Sequence, residues 1–404
     1  MSKLAINGGA PIKTDLFPKW PIYDEREEEA LKKVLHSGVW GTLGSEVTAF
    51  NKKFAAYQGA KFALGLTNGT HTLEIILRAL DIGLGDEVIV PPYTFNATVS
   101  AVLMVGATPV FADLDSDTYN IDPVMVEKVV TKNTKAIIPV HIGGRSCDMD
   151  AIMAIAKKHN LYVVEDAAQA LGAEWKGTKL GNIGHAGSFS FQVSKNLTAG
   201  EGGAIITNDE DVYDNCFSIH HCGRDMKSGL WYDHPFMGTN ARMTEWQAAI
   251  LNVQMERLDA QMETRTRNAA YLNKRLAELP YTGTLAEDAR ITKNAYHLFI
   301  FKYFAEQSKG LPKAKFIEAL KAEGIPCAPG YVNLIRQGML YSPQAKRILR
   351  SDANYDILLP NAERACYEEG IWLYQYMLLG TQKDMDDVVD AIVKVCENAD
   401  ELMK

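Results

Sequence analysis

Gly187-Ser188-Phe189-Ser190-Phe191-Gln192-Val193-Ser194-Lys195-Asn196-Leu197-Thr198-Ala199-Gly200-Glu201-Gly202-Gly203 is the stretch that decides the fold. It sets a lysine between an apolar, serine-bearing strand and a glycine-rich turn, and a further strand, Ala204 to Thr207, follows. Upstream, the apolar run Leu161-Tyr162-Val163-Val164-Glu165 reads as a strand that ends in Asp166, then Ala167, Ala168 and Gln169. Outward from these two segments, residues 45–210 alternate apolar runs with helical patterns, as in a parallel sheet with helices on its faces.

Val88 to Val90, Thr108 to Phe111, Ala136 to Val140 and Leu161 to Val164 are predicted buried strands. A helix opening near Thr70 places Leu73, Ile76, Leu77 and Leu80 on one face, and another, capped by Asp148 or Asp150, buries Ile152, Ile155 and Ala156. The region from Met243 to about Leu279 reads as a long helix. It links a large domain at 20–255 to a smaller α+β domain at 256–404, with a strand at Tyr296–Tyr303, a helix at Lys313–Glu323 and an amphipathic helix from about Lys383. The fold class is α/β, and segment 1–19 is expected to pack near the smaller domain.

With 404 residues, 47% of them hydrophobic, the chain can bury a large core. A net charge of −8 without a Lys/Arg cluster argues against a nucleic-acid partner. The six cysteines are scattered with no C-x-x-C pair, which predicts reduced thiols in a cytoplasmic protein. The start, Met1 to Gly9, lacks the long apolar core of a signal peptide. No stretch reaches the roughly 18 apolar residues of a membrane span; Val99 to Phe111 is broken by Gly106 and Pro109. No membrane partner is expected.

A lysine amine in a confined site can lose its proton and form a Schiff base with an aldehyde. A lysine for that imine and an aspartate for a pyridine nitrogen are what pyridoxal 5'-phosphate chemistry most needs, and Lys195 and Asp166 are the candidates. Asp166 lies at the carboxyl end of a central strand, where α/β ligands sit; capping of a helix is its bland alternative. Gln169 could reach the ring hydroxyl. Gly69 and Thr70, at a helix start, would offer free N–H groups and a hydroxyl to the phosphate, with Ser190 as a second hydroxyl. Tyr93 and Phe95, in Pro91-Pro92-Tyr93-Thr94-Phe95, lie just past a strand end; they are candidates to stack on a flat cofactor or simply core. His220, His221 and Cys222 are too close in sequence to share a metal, so no metal site is predicted. Arg224 and Arg242 could bind a donor carboxylate, though ion pairing is the plainer use. His297 could line the cleft or pack beneath it.

Gly-Thr at 69–70, Pro-Pro-Tyr-Thr-Phe at 91–95, Glu-Asp-Ala-Ala-Gln at 165–169, the run at 190–203 and Gly-Thr-Asn-Ala-Arg-Met-Thr-Glu-Trp-Gln-Ala-Ala at 238–249 together resemble the DegT/DnrJ/StrS aminotransferases. The resemblance covers nearly the whole chain. It implies a PLP-dependent transferase of fold type I, whose large domain has a mostly parallel seven-stranded sheet. It further implies Lys195 as the Schiff-base lysine, Asp166 as the pyridinium partner, Phe95 on the ring and Gln169 near the ring hydroxyl. Gly69, Thr70 and Ser190 would hold the phosphate. Asn240 matches an asparagine that the family reaches across to the partner's phosphate, so a homodimer with shared active sites is expected.

The opening Leu4-Ala-Ile-Asn-Gly-Gly-Ala-Pro11, Phe17-Pro-Lys-Trp-Pro21, Ser218 to Arg224 and Pro326 to Tyr331 resemble the inosose aminotransferase branch. His141-Ile-Gly-Gly-Arg-Ser-Cys147 departs from the pattern of nucleotide-sugar members. The expected reaction moves an amino group from glutamate or glutamine to a keto-cyclitol or keto sugar. Few cations, Arg145, Arg224 and Arg336, are placed near the cofactor to meet a diphosphate. The alternatives are a nucleotide-sugar aminotransferase, a dehydratase of the same family, and a catalytically silent PLP- or sugar-binding regulator. Dehydrating members typically carry histidine where this chain has Lys195.

Overall fold

The computed structural model of the chain describes residues 3–41, 44–225, 227–228 and 230–403. Five strands come first: β1 (Phe62–Leu66), β2 (Glu87–Val90), β3 (Thr108–Phe111), β4 (Thr134–Ile137) and β5 (Tyr162–Asp166). A short hairpin of β6 (Glu174–Trp175) and β7 (Thr178–Lys179) precedes β8 (Ala186–Ser190) and β9 (Gly203–Thr207). The C-terminal part adds β10 (Thr282–Thr284), β11 (Ile291–Lys293), β12 (Leu298–Tyr303) and β13 (Gly370–Tyr374).

A seven-stranded sheet has the order β1-β9-β8-β5-β4-β2-β3. β9 runs antiparallel to both neighbours, and the other pairs are parallel. Its strands are buried on both faces, which is why they read as continuous apolar runs. Side chains alternate between two cores, as a period of two requires. Val88, Val90 and Val164 pack with Leu73, Ile76 and Leu77 of the helix Gly69–Ala79. Ile89, Ile137 and Val163 face Phe50, Phe54, Ile152 and Ala156 on the other side. Asp148, not Asp150, caps the helix Met149–His159, accepting from Ala151 N.

The reversal of β9 follows from its short connection to β8. Phe191 N donates to Gly202 O at 2.8 Å and closes the loop that carries Lys195. Gly200 inside it has φ +82°, a conformation that side chains with a Cβ rarely adopt.

The expected long helix at 243–279 is two, Glu245–Gln254 and Leu258–Ala277, joined by a tight turn at Met255–Arg257. No glycine or proline marks the break. Arg257, at the join, ion-pairs with Asp24 at 2.8 Å and with Glu27, so the cause is tertiary. The antiparallel sheet β10-β12-β13 forms a third core with Leu272, Leu276, Phe316, Leu320, Val388 and Ile392, which Leu4 and Phe17 join. The buried Glu323 fastens the N-terminal segment there, accepting from Ala5 N at 2.8 Å and Ile12 N at 3.1 Å. No helix among the described residues is long and apolar enough to cross a membrane.

Candidate active site

A cavity of about 940 Å³ opens at the carboxyl ends of β5 and β8 and extends to β13. The rule that α/β sheets bind ligands beyond strand carboxyl ends places a site here. Asp166, Gln169, Ser190, Lys195, Gly69, Thr70 and Phe95 all line it.

Lys195 is held by its neighbours rather than by its own amine. Phe189 and Phe191, flanking Ser190, are buried and pack edge-on against Phe54 at 5.1 and 5.4 Å. Each such pair is worth about 0.5–1.5 kcal/mol beyond area burial. Lys195 N donates to Gln192 O at 2.9 Å, and Thr198 Oγ1 to Phe191 O at 2.8 Å. Among the described residues nothing hydrogen-bonds or ion-pairs with Lys195 Nζ. Burial draws the amine down to about 8, against the opposing pull of Asp166. Because only the neutral amine attacks an aldehyde, apo-protein is expected to capture added pyridoxal phosphate faster as pH rises, half-maximally near 8. Stopped-flow absorbance measures this; a midpoint near the ordinary lysine value of 10.5 would contradict it.

Asp166 ends β5, the middle strand of the sheet. Its Oδ2 accepts from Thr98 Oγ1 at 2.8 Å and its Oδ1 from Ala168 N at 3.2 Å. Burial pushes this carboxyl above its ordinary value despite those bonds and the charge of Lys195. A cation against it restores the carboxylate, and a protonated pyridine nitrogen is such a cation. Its neighbour Glu165, on the opposite face, accepts from Gly181 N, Ile183 N and Gly184 N at 2.6–2.7 Å and faces His141 Nε2 at 3.0 Å. It thereby anchors the turn entering β8.

Asn68 caps the helix Gly69–Ala79, accepting from His71 N at 2.9 Å. The N–H groups of Gly69 and Thr70 have no acceptor among the described residues, as expected of a first helical turn. A Cβ on Gly69 would meet Ser190 Cβ at 2.8 Å, so glycine is what lets this helix start approach β8. Free N–H groups, the Thr70 and Ser190 hydroxyls and the helix dipole suit a phosphate. The unpaired amine, the buried acid and this cradle share one cavity. The residues present therefore fit pyridoxal 5'-phosphate.

Phe95 is 59% exposed, with its ring available to the cavity. Tyr93 takes the core alternative: it is only 1% exposed and its hydroxyl accepts from Trp372 Nε1 at 2.8 Å. The chain turns inward after β2, so the two rings part. Gln169 has both ends of its amide engaged, Oε1 by Gly143 N at 2.8 Å and Nε2 by Tyr331 OH at 2.9 Å. Asn240 is exposed, outside the cavity lining, its backbone bridged to His221.

The arginines expected near the cofactor lie elsewhere. Arg145 lines a separate crevice, and Arg336 pairs with Glu363. Arg224 lies over the Trp231 ring at 4.3 Å, and Arg242 contacts His221 and Cys222. His297 lines the cavity and is also buried. Sequence reading missed Thr98, on the helix Ala97–Met104, and Trp372 and Gln375, on and just after β13; Trp20 and Tyr331 entered it only within motifs.

The family model of the DegT/DnrJ/EryC1/StrS aminotransferases matches residues 21–393. The L-glutamine:2-deoxy-scyllo-inosose aminotransferase of Streptoalloteichus tenebrarius is 36% identical over 421 residues, covering 99% of both chains. The crystal structure of 3-amino-5-hydroxybenzoic acid synthase superposes with a TM-score of 0.88 at 33% identity, covering 96% of this chain and all of that one. DesI, solved in the presence of its TDP-sugar product, gives a TM-score of 0.85 at 30% identity, covering 99% of this chain and 98% of that one. The chain belongs to the DegT/DnrJ/EryC1/StrS aminotransferase family and is an enzyme that uses pyridoxal 5'-phosphate.

Proposed function

We propose that the protein moves the amino group of L-glutamine to a free keto-cyclitol. The observation that carries this is the cavity wall: among its described lining residues Lys195 is the only lysine and no arginine occurs. A nucleotide diphosphate brings at least two negative charges and normally recruits several cationic side chains. The relative named for 2-deoxy-scyllo-inosose supports both the glutamine donor and the cyclitol acceptor.

When bound, the cofactor supplies an electron sink and carries the amino group between donor and acceptor. Lys195 Nζ would hold the cofactor at its aldehyde. The same amine, when free, would take the proton from the donor α-carbon and, in the reverse sense, deliver one to the cyclitol carbon that receives the amino group. Asp166 keeps the pyridine nitrogen protonated, with Thr98 and Ala168 fixing the carboxylate. Gly69, Thr70 and Ser190 hold the phosphate, Phe95 covers the ring face, and Gln169, braced by Gly143 and Tyr331, stands beside the ring hydroxyl. A large domain at 20–255 and a smaller one at 256–404, with 1–19 beside it, close around this cavity. The free cysteines agree with a cytoplasmic location.

Asn240 serves the phosphate of a second copy in a homodimer. The exposed apolar residues ahead of it, Leu230, Trp231, Tyr232 and Met237, support this face as an interface. Two inactive variants, Lys195→Ala and Asn240→Asp, are therefore expected to regain part of the activity when mixed, because one hybrid site carries both native groups. No recovery, with subunit exchange shown by mass, would mean that Asn240 acts within its own chain.

The acceptor is tested by loading the enzyme with pyridoxamine phosphate and adding scyllo-inosose or a nucleotide-linked 4-keto sugar in separate cuvettes. The visible band of the aldehyde form is expected to return with the cyclitol. Its return with the nucleotide sugar alone would overturn the reading.

A further inference from the structure

Arg265, on the helix Leu258–Ala277, is fully buried, yet no carboxylate pairs with it among the described residues. Its Nε and Nη2 both donate to Gln375 Oε1, at 3.0 and 2.6 Å, and its Nη1 has no acceptor. The guanidinium lies 5.4 Å from the centre of the Trp20 ring. Burial draws it down to about 9. A buried charge of this kind is costly without a counter-ion.

The charge also fixes the Gln375 amide. With Oε1 turned to Arg265, Nε2 must point elsewhere, and it too is buried without a partner. Gln375 lines the cavity together with Trp20 and His297. His297 Nδ1 is a third buried atom without a partner. Burial and the charges of Lys195 and Arg265 hold that ring well below its ordinary value, hence neutral and able to donate from one nitrogen. Arg265 Nη1 and Gln375 Nε2 can only donate. What this wall lacks is an acceptor with negative charge: of the two carboxylates among the described lining residues, Asp166 is engaged by Thr98 and Ala168, and Glu201 is exposed on the loop before β9.

We infer that the Arg265–Gln375–His297 group seats the carboxylate of the amino donor: Gln375 and His297 donate to its oxygens, and Arg265, behind Gln375, supplies the balancing charge. This rests on the enzyme's taking an α-amino acid as donor and is independent of which ketone it aminates.

Glutaramate, which is glutamine without its amine, and glutaramide, which also lacks the charge, separate the carboxylate from the rest of the ligand. Titration calorimetry of the holoenzyme is expected to show glutaramate binding at least about tenfold more tightly, the scale on which charge-assisted hydrogen bonds act. Gln375→Glu places an internal carboxylate against Arg265 and should erase that preference without lowering the thermal midpoint. Arg265→Met should erase it as well; should that variant fail to fold, Gln375→Glu alone decides. Equal binding of the two ligands to the parent enzyme, or a tenfold preference kept in Gln375→Glu, would overturn the assignment and leave Arg265 and Gln375 a structural pair.

Discussion

Lys195→Ala is expected to lower turnover by about 10⁴-fold, the upper end of what positioned proton transfer contributes. The loss has two sources. The variant has no amine to hold the cofactor aldehyde, and none to move the proton at the donor α-carbon. The phosphate cradle at Gly69, Thr70 and Ser190 is untouched, so cofactor should still bind without a covalent link. Steady-state rates at saturating donor measure the loss, and added methylamine should return part of it. Activity within tenfold of the parent would remove Lys195 from the chemistry.

Asp166→Asn should cost about 10²–10³-fold in transamination, or roughly 3–4 kcal/mol of barrier. The change keeps the size and an acceptor for Thr98 Oγ1 but removes the charge that favours a protonated pyridine nitrogen. It also turns one carboxylate oxygen into an N–H donor. If that group takes the Oδ1 place, it faces the donating Ala168 N, so cofactor affinity should fall as well. Equilibrium dialysis and single-turnover rates separate the two effects. A variant within about threefold, under 1 kcal/mol, would mean that another acid serves the ring nitrogen.

These two side chains were legible because their signals are local. Asp166 closes an apolar strand, and Lys195 sits between a strand and a glycine turn, so each is placed by about ten residues of sequence. The same holds for the helix start at Gly69, where Asn68 caps and the apolar spacing begins. Within the sheet, every strand segment but β1 could be read, but not the direction of β9, which depends on the closure between Phe191 and Gly202. Glu165 illustrates a different limit. As the neighbour of Asp166 in a strand it must face the other way, but the glycine turn whose N–H groups it accepts is set by the fold. Tyr93 and Phe95 are only two residues apart, and the turn after β2 sends one into the core and the other to the cavity. Tyr331, Trp372 and Gln375 reach the cavity from a distant part of the chain, and no periodicity says which face of β13 closes over β5. Arg265 was invisible for the same reason: on a helix that also carries Arg267, Lys274 and Arg275 it reads as a solvated charge.

The most direct test of the account is to reduce the cofactor-loaded enzyme with borohydride and map the fixed cofactor by peptide mass. The expected result is loss of the visible band with the added mass on the peptide carrying Lys195. Label on another lysine, or a visible band that survives reduction, would contradict it.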